Sequence, residues 1–122
     1  MPNYQAQNPP YATFPGDVAL PFNNESPAAG QSSQEFALPD YSGRADQGRT
    51  VRWQTIFGTA PTLVNISLQA ANDDVDSHYQ NIDSSTATTG EARTVSGVRA
   101  KFIRAKVNSS SGGSGVTVQV LA

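Results

Sequence analysis

The residues best suited to chemistry lie in one stretch of the chain, 72–83, where four aspartates surround the only histidine. Oxygen-rich loops can bind calcium, because calcium takes carboxylate and carbonyl oxygens as ligands. A calcium loop also needs a turn-forming glycine and a bidentate acid at fixed positions, and NDDVDSHYQNID has neither. A solvated polar loop is therefore favoured over a metal site for Asp73, Asp74, Asp76, His78 and Asp83.

Catalysis is not indicated by the residue pattern. Any Ser-His-Asp arrangement would have to use His78, which no G-x-S-x-G motif accompanies, and the chain has no cysteine nucleophile. The SGGSG run near the C-terminus lacks the lysine and the following helix of a phosphate-binding loop. We therefore expect no catalytic activity, no cofactor and no small-molecule substrate, and we expect His78 to be dispensable.

One short segment carries half of the eight basic side chains. Its basic residues alternate with apolar ones, as expected for a strand with one solvated face, and the formal net charge of the chain is −2. Nucleic-acid-binding domains show a much stronger basic excess. A solvated or inter-subunit strand face is therefore favoured over a nucleic-acid patch for Arg99, Lys101, Arg104 and Lys106.

The sequence gives no sign of a membrane or secreted protein. No apolar stretch is long enough to span a bilayer, and the N-terminus has neither a basic region nor an apolar segment of the signal-peptide type. The absence of cysteine fits folding in a reducing cytosol. We expect a protein that is made and assembled in a cytoplasm.

Proline divides the chain into two parts. Seven of the eight prolines precede Arg49, and residues 1–43 contain no lysine or arginine. Proline lacks the backbone donor and fixes φ, so residues 1–48 are predicted to form an extended assembly arm, with folding back along its own domain as the alternative. Its widely spaced large side chains are predicted to anchor the arm on a partner: Tyr4, Tyr11, Phe14, Leu20, Phe22, Phe36, Leu38 and Tyr41.

Residues 49–122 are predicted to form a small all-β domain, an antiparallel β-sandwich or jelly-roll-like fold. The clearest signal is the alternation of Val64, Ile66, Leu68 and Ala70 within a strand at 63–71. Other strands are predicted at 50–57, 93–95, 98–108 and 115–122, and the polar stretch 72–91 is predicted to be a long loop with one short strand or helical turn. The predicted core comprises Trp53, Ile56, Val64, Ile66, Leu68, Ile82, Phe102 or Ile103, Val107, Val116, Val118 and Val120.

The size of the predicted domain favours self-association. About 70 residues without disulfides or a metal form a marginal core. Adjacent residues of a strand point to opposite faces, so only one of Phe102 and Ile103 can be in the core. We expect a homo-oligomer, a trimer or dimer, with the strand around Phe102 and Ile103 or the arm in the interface.

A proline-rich, charge-poor arm followed by a small cysteine-free β domain resembles the small virion proteins of tailed bacteriophages. The ending VRAKFIRAKVNSSSGGSGVTVQVLA, residues 98–122, carries the local part of this resemblance. Within that group the chain is most similar to capsid decoration, or cement, proteins. The resemblance implies an accessory protein on the capsid surface, whose partners are the major capsid protein and copies of itself.

Two other functions fit the same sequence. The first is a carbohydrate-binding sandwich in which an exposed Trp53 or Tyr79 stacks on a sugar. The second is a structural component of a phage tail, neck or head-fibre base, which would have similar composition. The long proline-rich extension favours the assembly functions over sugar binding, because an arm lets a small domain reach several neighbours.

Overall fold

The computed structural model describes residues 18–38 and 49–121. This part of the chain is nearly all β, with eight strands and a short 3₁₀ turn at Asp76–His78. The all-β prediction is confirmed. The strands are β1 (Val18–Glu25), β2 (Phe36–Ala37), β3 (Arg49–Thr59), β4 (Leu63–Ala71), β5 (Gln80–Ser85), β6 (Ala92–Val98), β7 (Phe102–Ser111) and β8 (Ser114–Leu121).

The strands form two four-stranded antiparallel sheets packed as a sandwich. The first sheet has the order β1-β8-β3-β6, and the second has the order β2-β7-β4-β5. Each sheet turns one face to a shared apolar core. In β4 Val64, Ile66, Leu68 and Ala70 are buried as predicted, but Ser67, Gln69 and Ala71 on the other face are buried too. Strand β8 supplies Val116, Val118 and Val120 from the opposite sheet.

The β7–β8 hairpin shows why this region is rich in glycine. The strands extend to Ser111 and resume at Ser114, which leaves Gly112 and Gly113 as a two-residue turn with φ of 71° and 75°. Both glycines have the left-handed backbone that such a turn requires. A Cβ on Gly113 would also lie 2.8 Å from the backbone nitrogen of Pro61, so this position has no room for a side chain.

Residues 18–38 belong to the sandwich, which corrects their predicted assignment to an assembly arm. Strand β1 pairs with β8, with Phe22 opposite Val118. Farther along, the backbone N–H groups of Gly30 and Ser33 donate to carbonyls of β7, each at 2.7 Å. The prolines do not prevent this pairing, because edge strands tolerate a missing donor. The alternative of folding back along the domain is therefore correct for this stretch.

Two core predictions need revision, Ile56 and Ile82, and one open choice is resolved. Ile56 is 39% exposed, because it lies on the solvent face of β3 between the buried Thr55 and the half-buried Phe57. Ile82 is only half-buried and packs against the edge of the core. At the ambiguous pair, Ile103 is in the core and Phe102 lies half-buried on the outer face of the second sheet.

The stretch 72–91 contains both of the short elements that the sequence allowed for, a 3₁₀ turn and a strand, β5. Within the described residues, no helix is long and apolar enough to cross a membrane.

Candidate functional site

A row of polar side chains crosses the outer face of the second sheet. Arg104 on β7, Gln69 on β4 and Asn81 on β5 lie in register across three neighbouring strands. Arg104 Nε donates to Gln69 Oε1 at 2.8 Å, and Gln69 Nε2 donates to Asn81 Oδ1 at 2.9 Å. Polar outward positions of this kind follow from the two-residue period of strands whose other face is apolar.

The loop between β4 and β5 folds over this row and covers Arg104. The Arg104 guanidinium carbon lies 3.9 Å from the centroid of the Tyr79 ring, and Nη1 donates to Asp76 Oδ1 at 2.8 Å. The side chain of Arg104 is only 10% exposed, whereas that of Asp76 is 88% exposed. The loop is thus fixed by one buried guanidinium that is stacked, ion-paired and hydrogen-bonded.

Two further contacts hold the loop. The Tyr79 hydroxyl donates to Asp74 Oδ1 at 3.0 Å, and His78 Nδ1 lies 2.7 Å from Asp73 Oδ1. Burial raises the pKa of Tyr79, and the hydrogen bond to Asp74 raises it further, so the hydroxyl stays protonated as a donor. We call the exposed residues 73–76, held in this way, the acidic loop.

The acidic loop does not have the geometry of a catalytic or metal site. His78 contacts Asp73, but no contact of His78 with a nucleophile is present among the described residues. In the described ranges 18–38 and 49–121, no group of three or more histidine or acidic side chains is placed to hold a metal ion. The acidic loop presents the carboxylates of Asp73, Asp74 and Asp76 at the surface.

A second polar cluster joins the two sheets at the side where β5 and β6 form the edges. Trp53 Nε1 on β3 donates to Asp83 Oδ2 on β5 at 2.9 Å, and Arg93 Nε on β6 donates to the same oxygen at 2.7 Å. Arg93 Nη1 also donates to Glu91 Oε1 at 3.2 Å, and Ser85 Oγ donates to Glu91 Oε2 at 2.6 Å. We call these five residues the inter-sheet bridge.

Charge pairing sets the protonation states of the inter-sheet bridge. Burial acts to raise the pKa of Asp83, but hydrogen bonds from Arg93 and Trp53 outweigh it and the pKa is lowered. The hydrogen bond from Ser85 lowers the pKa of Glu91, and the contact with Asp83 raises that of Arg93. Asp83, Glu91 and Arg93 are therefore all charged at neutral pH, and the inter-sheet bridge links the two sheets through their hydrogen bonds.

Next to the inter-sheet bridge an open cleft of about 490 Å³ separates the two sheets. Its wall includes the apolar side chains of Ile82, Val95 and Val98, and its rim includes His78 and Arg99. Ile82 and Val95 also pack against the apolar core and Val98 belongs to it, so the cleft lies beside the core on the side of β5 and β6.

The predicted arm anchors have different locations. Phe22 and Phe36 are completely buried in the core of their own domain, so these two cannot anchor the chain on a partner. Leu38 packs against the core and is half-buried. Leu20 is half-buried on β1. The remaining anchors lie outside the described residues: Tyr4, Tyr11, Phe14 and Tyr41.

The predicted interface and sugar-stacking residues also need correction. Ile103 is 1% exposed and lies opposite Phe36, so it contributes to the core and not to a surface. Phe102 alone of that pair is accessible. Trp53 and Tyr79 are 1% and 7% exposed, so neither ring can stack on a sugar.

Sequence patterns did not identify the two polar clusters. The outward position of Arg104 follows from the alternation in its strand, but its burial requires knowing that the 72–79 loop folds over the sheet. The contact between Trp53 and Asp83 joins different sheets, and no local pattern specifies such a pair. The aspartates of the 72–83 stretch are in fact divided between the two clusters, with Asp74 and Asp76 in one and Asp83 in the other.

Comparison with solved structures identifies proteins of similar fold. No protein-family model and no curated protein sequence matches the chain. Among solved structures, the fold is similar to that of the SPBc2 prophage-derived protein YomS, with a TM-score of 0.53 and 15% identity over 89% of this chain and 95% of that one. It is also similar to the K3 cleaved adhesin domain of Lys-gingipain from Porphyromonas gingivalis, with a TM-score of 0.54 and 11% identity over 86% of this chain and 71% of that one.

Proposed function

We propose that the protein is a non-catalytic structural component of a bacteriophage particle, specifically a capsid decoration protein that binds the major capsid shell and braces neighbouring subunits. The observation that carries this proposal is the fold likeness to a prophage-derived protein over 89% of the chain. The composition and the 98–122 ending, which resemble decoration proteins, support the same conclusion. In this proposal the protein is made in the host cytoplasm, and it contacts the capsid protein and copies of itself but not nucleic acid, membrane or a small-molecule substrate.

The use of charge in the sandwich supports a structural role. The buried Arg104 is paired with Asp76, and Arg93 is paired with Asp83 and Glu91, so these charges stabilise the fold. The acidic loop is held rigid by Arg104 while its carboxylates face solvent. A surface that is already ordered loses less conformational entropy on binding, which favours its use as a protein contact.

The bracing function is assigned to residues 1–17, with Tyr4, Tyr11 and Phe14 as anchors. Tyr41, in the 39–48 segment, is a further candidate. A large side chain that fills a pocket on a partner contributes about 1.5–3 kcal/mol before ordering costs. Because β1 begins at Val18, deletion of residues 1–17 leaves all eight described strands in place, whereas a longer deletion to residue 40 would remove β1 and β2.

The test of the proposal is the composition of particles produced from the genome that carries this gene. Particles purified on a density gradient should contain the protein in a fixed ratio to the major capsid protein by quantitative mass spectrometry. A chain lacking residues 1–17 should fold but be incorporated poorly, and the full-length His78→Ala variant should be incorporated like wild type. Absence of the protein from purified particles would contradict the proposal, and a few copies per particle would indicate a tail, neck or fibre-base component.

A carbohydrate-binding role is the second candidate, supported by the fold likeness to an adhesin domain and by the open cleft beside β6. The rings of Trp53 and Tyr79 are not available, so a sugar would have to bind in the cleft near Arg99. A glycan array separates the two functions. Binding of a defined glycan that is lost in Arg99→Ala, together with absence from particles, would favour this second function.

A further inference from the structure

Residues 18–38, which we call the closing strap, are attached to the edges of both sheets. Among the described pairings, strand β1 of the strap pairs only with β8, and strand β2 pairs only with β7. Between these two strands, the backbone N–H groups of Gly30 and Ser33 donate to carbonyls of β7. The strap therefore does not lie between any two other strands of a sheet.

The rest of the domain forms a sandwich without the strap. Its strands give two antiparallel sheets of three strands each, β8-β3-β6 and β7-β4-β5. Of the fifteen residues in the described core cluster, only Ala19, Phe22 and Phe36 belong to the strap, so twelve remain in β3–β8. Three strands with an apolar face are the smallest sheet that is stable by itself. Removal of the strap from its place leaves a unit of sufficient size to stay folded.

Unfavourable local features of the described chain are concentrated in the strap. Within residues 18–38 and 49–121, the two buried side-chain atoms without a hydrogen-bond partner are Glu25 Oε2 and Gln34 Oε1, both in the strap. Asn24, with a φ of 55°, is the one non-glycine residue in these ranges that has a left-handed backbone. Buried unpaired polar atoms and a left-handed backbone both cost free energy in the folded state.

The contacts that hold the strap are few for its length. Eight of its twenty-one residues are buried, whereas seven of the nine residues of β4 are buried. None of the ion pairs found among the described residues includes a residue of the strap. Every ordered residue loses backbone entropy, so a long segment with little burial is held less firmly than a central strand.

We infer that the closing strap detaches from the domain as one unit while β3–β8 stay folded. Its two large anchors act together, because Phe22 and Phe36 enter the same apolar core from the edges of the two sheets. Withdrawal of one ring admits water beside the other. The two ends of the strap therefore open in a single step and not by independent fraying.

Detachment gives the chain a longer segment ahead of the sandwich. An extended residue spans about 3.3–3.6 Å, so the strap adds about 70 Å to the reach of residues 1–17. The inter-sheet bridge and the cleft contain no strap residue and are unchanged in the detached state. This use of the strap in bracing rests on the proposed function, whereas the detachment itself does not.

A disulfide at one end of the strap tests whether its two ends open together. Val18 and Leu121 lie directly opposite each other on β1 and β8, both are exposed, and the chain has no cysteine of its own. The Val18→Cys/Leu121→Cys double variant can therefore be oxidised within one chain without disturbing the core. Oxidation should slow hydrogen exchange of the Gly30 and Ser33 amides at least about ten-fold relative to the reduced variant, because it restricts the detached chain.

Native-state hydrogen exchange at increasing denaturant supplies the second measurement. The amides of β1 that bond to β8 should share one free energy of opening and one denaturant dependence with Gly30 and Ser33, and this free energy should be lower than in β4. Ile82→Ala, on the far strand β5, should accelerate exchange in β4 and leave Gly30 and Ser33 unchanged, because Ile82 stays packed when the strap detaches. Phe36→Ala, within the strap, should accelerate exchange at β1 and Ser33 equally, by at least about ten-fold.

Two results would overturn the inference. Equal free energies of opening in the strap and in β4 would show that the strap opens only with the whole domain. Exchange at Gly30 and Ser33 that does not respond to the oxidised pair would show that the two ends open independently. Both measurements use the isolated protein, so their failure leaves the proposed function standing, and absence of the protein from purified particles would refute only that function.

Discussion

On one side of the sandwich, where β1 and β2 form the edges, residues 18–38 run back along the domain and bury Phe22 and Phe36 in its core. On the other side, where β5 and β6 form the edges, Ile82 and Val95 are only partly buried against the core, and the inter-sheet bridge and an open cleft lie beside them. The first side is closed by the chain itself. The second side combines this partial apolar packing with charged hydrogen bonds.

The difference indicates how stability and assembly are divided in a small domain. Apolar burial on the closed side supplies the non-directional stabilisation that a core of this size needs. Ionised pairs on the open side fix the spacing of the sheets while contributing less net free energy, because their desolvation opposes their attraction. Assembly contacts are therefore expected on the open side, and mutations on the two sides should have different consequences.

The largest effect should come from the closed side. Phe22 has no exposed surface, so Phe22→Ala should lower the free energy of unfolding by about 3–5 kcal/mol through lost burial and a cavity. Chemical denaturation followed by tryptophan fluorescence measures this loss. Val18→Ala, at a position of the same strand that is 55% exposed, is the control and should change stability little. A small loss for Phe22→Ala would mean that residues 18–38 do not close this side.

The second-largest effect should come from a mutation that releases the acidic loop, which lies beside the open side. Arg104→Ala removes the stacking, the ion pair and the hydrogen bond that hold the loop, at a cost of about 1–3 kcal/mol. Hydrogen exchange should accelerate at residues 74–79 more than in β8. The exposed Lys101→Ala is the matched control. Equal exchange at residues 74–79 in wild type and Arg104→Ala would show that the loop does not depend on this side chain.

The inter-sheet bridge should give a pH-dependent effect. The folded protein lowers the pKa of Asp83 below its ordinary value of 3.8, so the stability that the carboxylate contributes is present above that pH and is lost as the pH falls through the folded value. Asp83→Asn should therefore lower the melting temperature at pH 7, and the difference from wild type should shrink below pH 4. A constant difference across this range would exclude ionisation of Asp83 as the source.

The smallest effect should come from a buried acid on the closed side. Glu25 is 8% exposed, and its Oε2 has no hydrogen-bond partner within the described part of the chain. Burial raises the pKa of Glu25. Protonation of Glu25 therefore stabilises the folded state at low pH, and this stabilisation is lost as the pH rises through the pKa of the folded protein. Glu25→Gln should raise the melting temperature slightly at pH 7 and match wild type at low pH. A lower melting temperature at pH 7 would refute the unfavourable burial of this charge.

Sequence alone was sufficient for the strands with a strict two-residue period. The alternation in β4 and β8 defines both the strand and its buried face, because one face of each sheet contacts the core. The glycine-rich turn between β7 and β8 also follows from composition. Because adjacent side chains of a strand point to opposite faces, the sequence predicted that only one of Phe102 and Ile103 could be in the core. The sequence did not show which of the two it would be.

Contacts between distant parts of the chain could not be predicted in the same way. Strand β1 pairs with β8, more than ninety residues later, and its Pro21 and irregular register hide the period. Strand β1 can belong to the sandwich despite its proline because it is an edge strand, and only the tertiary fold shows that it lies at an edge. The inter-sheet bridge could not be predicted for the same reason. Trp53 and Asp83 lie on different sheets, and they come into contact only when the two sheets pack together.

The most direct test of the central claim is a cryo-electron microscopy reconstruction of particles from the genome that carries this gene. It should show the sandwich on the capsid, with neighbouring subunits contacting the side formed by β5 and β6 and with the β1–β2 side turned away from them. Contacts made through the β1–β2 side, or particles without the protein, would contradict the account.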